Sequence, residues 1–365
     1  MRGIPLGPGA ISFALVLGCG KAPTSPSSQA QIEPADPGNL LHVAAPGRYR
    51  GAGAALEEPL TLDWDEPRGR LIVGQPGDHE IVAVNLLTRD EKVISRESAP
   101  IGYQGVRVGA TTGSIFVSIG IDGIIRLDTA GNRRLEWPNA SYSFLISSNE
   151  RRLLVGTTLV ERSTDAQQVL GLTGRPLAIS SDGNQIAELI EGPNDGSNHH
   201  PQTLYVFTKS TGAARVVFQE QAYTTGGIMA VTFVDGTLNI VVERVGSGTV
   251  AAVPVTLLEW DEGTRTERVL GTIPTGWAAC ATWSASTHMA VVVGRDDASS
   301  SNPLIFRFRI YALKAGNTRV IGSADLFTLS DCTLSPSGLW FVFGNSTGRS
   351  TGPDRNLSLK RVPTT

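Results

Sequence analysis

The chain has 365 residues, 41% of them hydrophobic and 18% charged, which is ordinary for a globular protein with a buried core. Its formal net charge is −3, so there is no basic field to draw in nucleic acid. The length would hold two or three average domains, but closed all-β architectures often run this long as one unit.

Met1-Arg2 gives a minimal positive start, a dense apolar stretch runs from Ala10 to Leu17, and Gly18-Cys19-Gly20 follows. As a helix that stretch reaches about 12 Å, far short of a bilayer core of roughly 30 Å, so it fits the apolar region of a signal peptide and not a membrane span. Val16-Leu17-Gly18-Cys19 resembles the lipobox of bacterial lipoproteins, in which small residues ahead of the Cys permit lipidation of its thiol and then cleavage. The resemblance implies that residues 1–19 are a lipoprotein signal peptide and that Cys19 is the lipid anchor. An ordinary signal peptide with an incidental Cys is the alternative. Gly20 stands where an Asp would resemble the inner-membrane retention signal, which favours the outer membrane or the cell surface. Residues 20–38 are rich in Pro, Ser and Ala and bury too little apolar surface to offset their ordering entropy, so a disordered tether is expected. Residues 39–365 are expected to form a single domain.

From residue 59 a unit recurs. Its second strand marks the register: Leu71-Ile-Val-Gly, Ile115-Phe-Val-Ser, Leu153-Leu-Val-Gly, Ile186-Ala-Glu-Leu, Leu238-Asn-Ile-Val, Met289-Ala-Val-Val and Leu339-Trp-Phe-Val. The turns ahead of these strands include Glu66-Pro-Arg-Gly69, Thr112-Gly113, Ser181-Asp-Gly183, Asp235-Gly236 and Ser335-Pro-Ser-Gly338, residues that tolerate tight-turn backbone angles. Third strands alternate: Ile305, Arg307, Arg309 and Tyr311 share one face and Leu304, Phe306, Phe308 and Ile310 the other, predicting one buried and one wet or paired face. No window carries a helical apolar period. Short strands repeating mostly every ~40–50 residues predict an all-β propeller. Seven blades fit, at 59–98, 101–138, 142–173, 175–221, 227–272, 277–326 and 328–362, with six or eight also open. The last repeat has three strands, so the N-terminal segment at residues 39–45 is expected to supply its outer strand and close the ring.

Ala178-Ile-Ser-Ser-Asp-Gly-Asn-Gln-Ile-Ala187 and Leu334-Ser-Pro-Ser-Gly-Leu-Trp-Phe-Val342 resemble the WD-like repeats of TolB-type propellers. Leu62-Asp-Trp-Asp-Glu-Pro-Arg-Gly-Arg-Leu-Ile-Val73 is similar to a blade opening of the NHL or surface-layer propeller repeats. The likeness covers most of residues 59–362 and implies the fold. Propellers host unrelated functions, so it does not imply an activity.

With Cys19 given to lipid, Cys280 and Cys332 are an even pair in corresponding first strands of neighbouring repeats. They are a candidate disulfide, with two buried free thiols as the alternative. His199-His200, with Asn194 and Asp195 nearby, reads as an exposed turn rather than a metal site. Asp63, Asp65, Asp296 and Asp297 read as turn-capping carboxylates, since no alternating acidic loop ending in Glu surrounds them. No nucleophile elbow, phosphate-binding loop or dinucleotide fingerprint appears, so no catalytic residue, metal site or cofactor is assigned. Residues just ahead of the first strands are expected to gather at one mouth of the central channel, as partner-binding candidates or as channel plugs. They are Glu58, Tyr103, Arg107, Tyr142, Arg175, Tyr223, Trp277 and Asp331. The expectation is thus a monomeric, lipid-anchored propeller that binds or scaffolds a protein or glycan in the cell envelope. It would meet the membrane through its anchor alone and have no nucleic-acid partner. The alternative is a propeller hydrolase or lactonase holding a metal in the channel, which needs converging carboxylates with Asn or His. The first strands are mainly Leu, Val, Ile, Ala, Thr and Ser.

Overall fold

Short runs of Val, Ile, Leu and aromatic residues, each ended by Gly, Asp, Asn or Ser, build a chain of antiparallel strands joined by tight turns. A computed structural model describes residues 40–41, 62–75, 79–98, 101, 105–139, 144–193, 199–223, 227–245, 254–274, 278–296, 306–326, 328–346 and 355–363. The proposed signal and tether, residues 1–38, lie outside them. Among the described residues there is no α-helix, and the only helical turns are the 3-10 segments Glu66–Arg68 and Gly120–Asp122.

Strand β1 is Leu40–Leu41. Blade 1 contains β2 (Leu62–Asp65), β3 (Arg70–Gln75), β4 (Glu80–Asn85) and β5 (Glu91–Arg96). Blade 2 contains β6 (Val106–Val108), β7 (Ile115–Ser118), β8 (Ile124–Leu127) and β9 (Arg133–Trp137). Blade 3 contains β10 (Leu145–Ile146), β11 (Arg152–Val155), β12 (Thr158–Glu161) and β13 (Ala166–Val169). Blade 4 contains β14 (Arg175–Ile179), β15 (Gln185–Glu191), β16 (His199–Thr208) and β17 (Ala213–Tyr223). Blade 5 contains β18 (Gly227–Val234), β19 (Thr237–Val245), β20 (Val255–Asp261) and β21 (Thr266–Ile273). Blade 6 contains β22 (Ala278–Ser284), β23 (Met289–Asp296), β24 (Phe306–Lys314) and β25 (Asn317–Leu326). Blade 7 contains β26 (Thr328–Leu334), β27 (Trp340–Ser346) and β28 (Arg355–Arg361). Its fourth strand is β1, with Leu40 opposite Ser358 and Leu41 opposite Leu357. The expected closure from residues 39–45 forms, through two of those residues.

The core lies between blades. Seven apolar clusters occupy the seven junctions, from blades 1 and 2 (Ile72, Ile81, Val106, Val117) round to blades 7 and 1 (Val342, Leu359, Leu71, Val73). Each blade stands on edge between two neighbours, so a middle strand is apolar on both faces. Leu71 and Val73 serve one junction and Ile72 the next. This explains the unbroken apolar runs of the second strands. The single wet face expected for the third strand is therefore corrected: on β24, Ile310 fills the junction with blade 7 while Tyr311 and Leu313 fill that with blade 5. Each such side chain contributes about 1.5–3 kcal/mol on full burial.

Five outer strands carry a bulge at one level, leaving Ile94, Glu136, Val217, Leu270 and Ile321 unpaired. Four of these are apolar and pack into the junctions. In blade 2 the residue is Glu136, whose buried carboxylate meets Arg126 at 3.2 Å and Arg162 at 2.9 Å. The Arg162 guanidinium also lies 4.6 Å from the Phe116 ring centroid.

Three of the turns from first to second strand, in blades 3, 4 and 7, share one design. Ser147, Ser180 and Ser335 are buried, and each hydroxyl accepts the backbone N–H five residues on, from Arg152 (3.0 Å), Gln185 (2.9 Å) and Trp340 (3.1 Å). Three residues after each Ser the backbone is left-handed, at Glu150 (φ 58°), Gly183 (φ 66°) and Gly338 (φ 72°). Gly meets that requirement without a Cβ clash. Glu150 meets it while its carboxylate accepts the Thr111 and Thr112 N–H groups of blade 2 at 2.7 and 2.6 Å. Such turn-to-turn bonds recur around this face. Arg68 donates to the Thr112 carbonyl at 2.8 Å, the Ser284 hydroxyl to the Pro336 carbonyl at 2.6 Å, and the Ser337 N–H to Glu66 at 2.8 Å. The last of these ties blade 7 to blade 1.

Candidate functional site

The opposite face carries the second-to-third-strand loops and the blade-to-blade crossings, and it is uneven. Counting from the matched inward residue of each second strand, β11 runs only from Leu153 to Val155, whereas β19 runs from Leu238 to Val245 and β23 from Ala290 to Asp296. At about 3.4 Å per residue, blade 5 stands some 17 Å taller than blade 3 at this strand. The loops that follow are also longer in these blades, with residues 192–198, 246–254 and 297–305 joining second to third strands in blades 4, 5 and 6 and only 156–157 in blade 3. Blades 4 to 7 share a second feature. Each inner strand slips register near its loop-face end, at Leu177, Met229, Ala279 and Ser330-Asp331. Bulges of this kind re-aim side chains and are frequent beside binding and catalytic sites.

Two buried carboxylates stand on the second strands of this raised half. Glu188 on β15 accepts the Thr173 and Gly174 N–H groups at 2.8 and 2.7 Å, from the crossing that leads into blade 4. Glu243 on β19 pairs by backbone with Gly227 and Leu257, is buried, and has no hydrogen-bond or ionic partner among the described residues. Burial alone pushes its carboxyl up to about 8. Neither residue was singled out from sequence; the signal was a Glu inside the apolar runs 186–190 and 238–245.

Inside the ring, Asp63 on β2 accepts the N–H of Val108, on the inner strand of the next blade, at 2.7 Å, and its neighbour Trp64 N–H at 2.8 Å. Burial raises its carboxyl above the ordinary range, against the pull of Arg107 and of those two N–H groups. Asp63 is thus a stitch between blades and not the turn cap expected. Asp65 stands at the N-cap position of the 3-10 turn but makes no side-chain cap either: its carboxylate accepts instead from Arg68 at 3.0 Å and Arg70 at 2.6 Å.

Of the expected mouth residues, Glu58, Tyr103, Tyr142 and Trp277 lie outside the described residues. Arg175 opens β14, is exposed, and sits at the loop-face end of the inner strand. Three positions differ. Arg107 lies within β6, next to Asp63, and donates to the Val106 carbonyl at 2.8 Å. Asp331 lies within β26, in its bulge. Tyr223 ends β17, the outermost strand of blade 4, opposite His199, so it stands at the periphery and not at the mouth. The apolar-polar pattern of 213–223 did not distinguish an outer from an inner strand. His199 and His200 open strand β16 and do not form the exposed turn expected. Asp296 ends β23, and Asp297 lies outside the described residues. Cys332 is buried and disulfide-bonded, and Cys280 lies on β22. Among the described residues no group of three His, Cys, Asp or Glu side chains is placed to hold a metal ion.

Seven four-stranded sheets, seven junction cores and a last blade completed by the N-terminal segment decide the architecture. The fold is a seven-bladed β-propeller. Solved propellers of diverse roles share it. Oligogalacturonate lyase from Vibrio parahaemolyticus superposes with a TM-score of 0.59 at 12% identity, covering 90% of this chain and 93% of that one. The β-propeller domain of Cps50 (Swd1) from Myceliophteria thermophila gives a TM-score of 0.54 at 10% identity over 84% and 97% of the two chains. A chain of the mitotic checkpoint complex gives 0.53 at 16% identity over 97% and 100%. At such identities the likeness is one of fold and carries no activity across. No protein-family model matches the propeller sequence, and no curated protein does.

Proposed function

We propose that this propeller is a binding module held at the bacterial cell envelope by a lipid on Cys19, and that it takes a protein or glycan partner on its loop face. The observation that carries the reading is the asymmetry between the faces. One carries short turns bonded to one another at the junctions of blades 1 and 2, 6 and 7, and 7 and 1, and the other carries the long second strands of blades 5 and 6, with all four inner strands of blades 4 to 7 bulged. A one-sided wall beside a channel mouth suits capture of an extended or convex partner from that side, with Arg175, Trp277 and Asp331 as contact residues. Aromatic and Arg side chains dominate recognition energetics at such surfaces.

The test uses the two ends of blade 4's inner strand. A photo-crosslinking residue at Arg175 is expected to trap a partner in intact cells, while the same residue at Ser181, in the turn at the opposite face, traps none. Equal adducts at both sites, or none at Arg175, would remove the loop-face reading. Arg175→Ala and Trp277→Ala are each expected to weaken capture by roughly tenfold or more. The anchor is tested separately by labelling with a fatty-acid analogue: incorporation that persists in Cys19→Ser would refute lipidation at Cys19.

A further inference from the structure

We infer that Cys332 is joined to Cys280, so that one disulfide fastens blade 6 to blade 7 beside the channel. Cys332 is disulfide-bonded and buried in the cluster between those two blades, and the chain offers it two partners, Cys19 and Cys280. The register chooses between them. β22 and β26 are neighbouring inner strands, and both run from the loop face to the turn face. They are stitched by the Leu334 N–H, which donates to the Thr282 hydroxyl oxygen at 3.0 Å. Two residues back toward the loop face from that contact, β22 reaches Cys280 and β26 reaches Cys332.

Cys332 and Leu334 share the cluster between blades 6 and 7, and Cys280 lies one strand period, two residues, from Thr282 on β22. Both register slips of these strands, at Ala279 and at Ser330-Asp331, fall before the cysteines, so the alternation is unbroken between each Cys and the stitch. The 3.0 Å hydrogen bond ties the two strands together two residues from each cysteine, and a disulfide needs α-carbons about 4.4–6.8 Å apart. The sequence separation of 52 residues between Cys280 and Cys332 is no obstacle, because it is one blade repeat and returns the chain to the same level of the ring.

Closing the bond removes one proton and one electron from each thiol. Both electrons and both protons pass to the disulfide of a thiol–disulfide exchange protein, which leaves as a dithiol. The bond holds two bulged inner strands together directly beneath the loop face. It also places maturation of the chain in an oxidising compartment. The inference goes beyond the binding reading and does not depend on it, since neither a partner nor the lipid enters the argument.

The experiment is a tryptic digest of the intact purified protein, alkylated without reductant. Val269–Arg295 and Val320–Arg349 are expected as one linked species that separates on reduction. Alkylated Cys280 in the unreduced sample, or Cys332 linked to a peptide containing Cys19, overturns the assignment. As a second measurement, Cys280→Ser, Cys332→Ser and the double variant are expected to lose the same amount of thermal stability, about 5–10 °C in Tm. The loss should match that of reduced wild type, because all four lack the same single bond. Additive losses from the two single variants would show two independent thiol contacts and overturn it.

Discussion

Glu243 makes the stability of this propeller depend on pH in a direction opposite to that of most carboxylates. Its carboxyl is buried on β19 without a partner among the described residues, and burial raises it to about 8 from an ordinary value of 4.5. Between those values the folded chain holds a proton that the unfolded chain releases, so stability falls as pH rises. At pH 5 the group is neutral when folded and about three-quarters ionised when unfolded, and the loss is about 1 kcal/mol. At pH 8 the accumulated loss is about 4 kcal/mol, from 1.36 kcal/mol for each unit of separation. Glu243→Gln keeps the shape and removes the titration. Urea unfolding at pH 5 and pH 8 is therefore expected to show the variant gaining about 3 kcal/mol on wild type between the two conditions. Stability–pH profiles that run parallel for wild type and variant would refute the reasoning, since they would mean that Glu243 is ionised and compensated in the fold.

Three further outcomes follow from other buried polar groups and from the seam. The Tyr311 hydroxyl is buried between blades 5 and 6 with no hydrogen-bond partner among the described residues, so Tyr311→Phe should stabilise the protein by about 1 kcal/mol in urea unfolding, and a comparable loss would contradict that. Glu136→Ala leaves Arg162 and Arg126 facing a buried vacancy and should cost about 3 kcal/mol by the same measurement, with a change below 1 kcal/mol counting against the cluster. Leu41→Pro removes a backbone donor from the two-residue pairing that completes blade 7, and limited proteolysis is expected to cut there several-fold faster than in wild type. An unchanged cleavage pattern would show that this pairing does not hold the seam.

Blade number and blade limits were legible because their signals are local. A turn such as Ser335-Pro-Ser-Gly338, followed by an apolar run such as Phe341-Val-Phe343, marks a second strand whatever surrounds it. The contacts that shape the candidate site are not local. Asp63 looked like a turn cap until Val108, 45 residues on, supplied the N–H that it accepts. Glu66 and Ser337, 271 residues apart, meet only because the ring closes. Tyr223 was expected at the channel mouth because it lies just ahead of the first strand of blade 5, and sequence does not reveal on which side of the crossing a residue stays. The inner-strand bulges are likewise invisible in composition, because one extra residue such as Met229 alters no period by enough to notice.

The outer-strand bulges bear on how the molecule behaves at high density. A ring of blades presents its outermost strands as seven rows of backbone groups able to pair with another copy, a standing invitation to edge-to-edge assembly. In five blades the bulge cuts that row after three or four residues: 91–93, 133–135, 213–216, 266–269 and 317–320. Stacked cross-strand assemblies draw on uninterrupted segments of about six or seven residues. The extra residue that turns Leu270 or Ile321 inward to fill a junction therefore also shortens the ladder that the rim can offer another copy, and the longest row left past a bulge is Phe218–Tyr223 in blade 4.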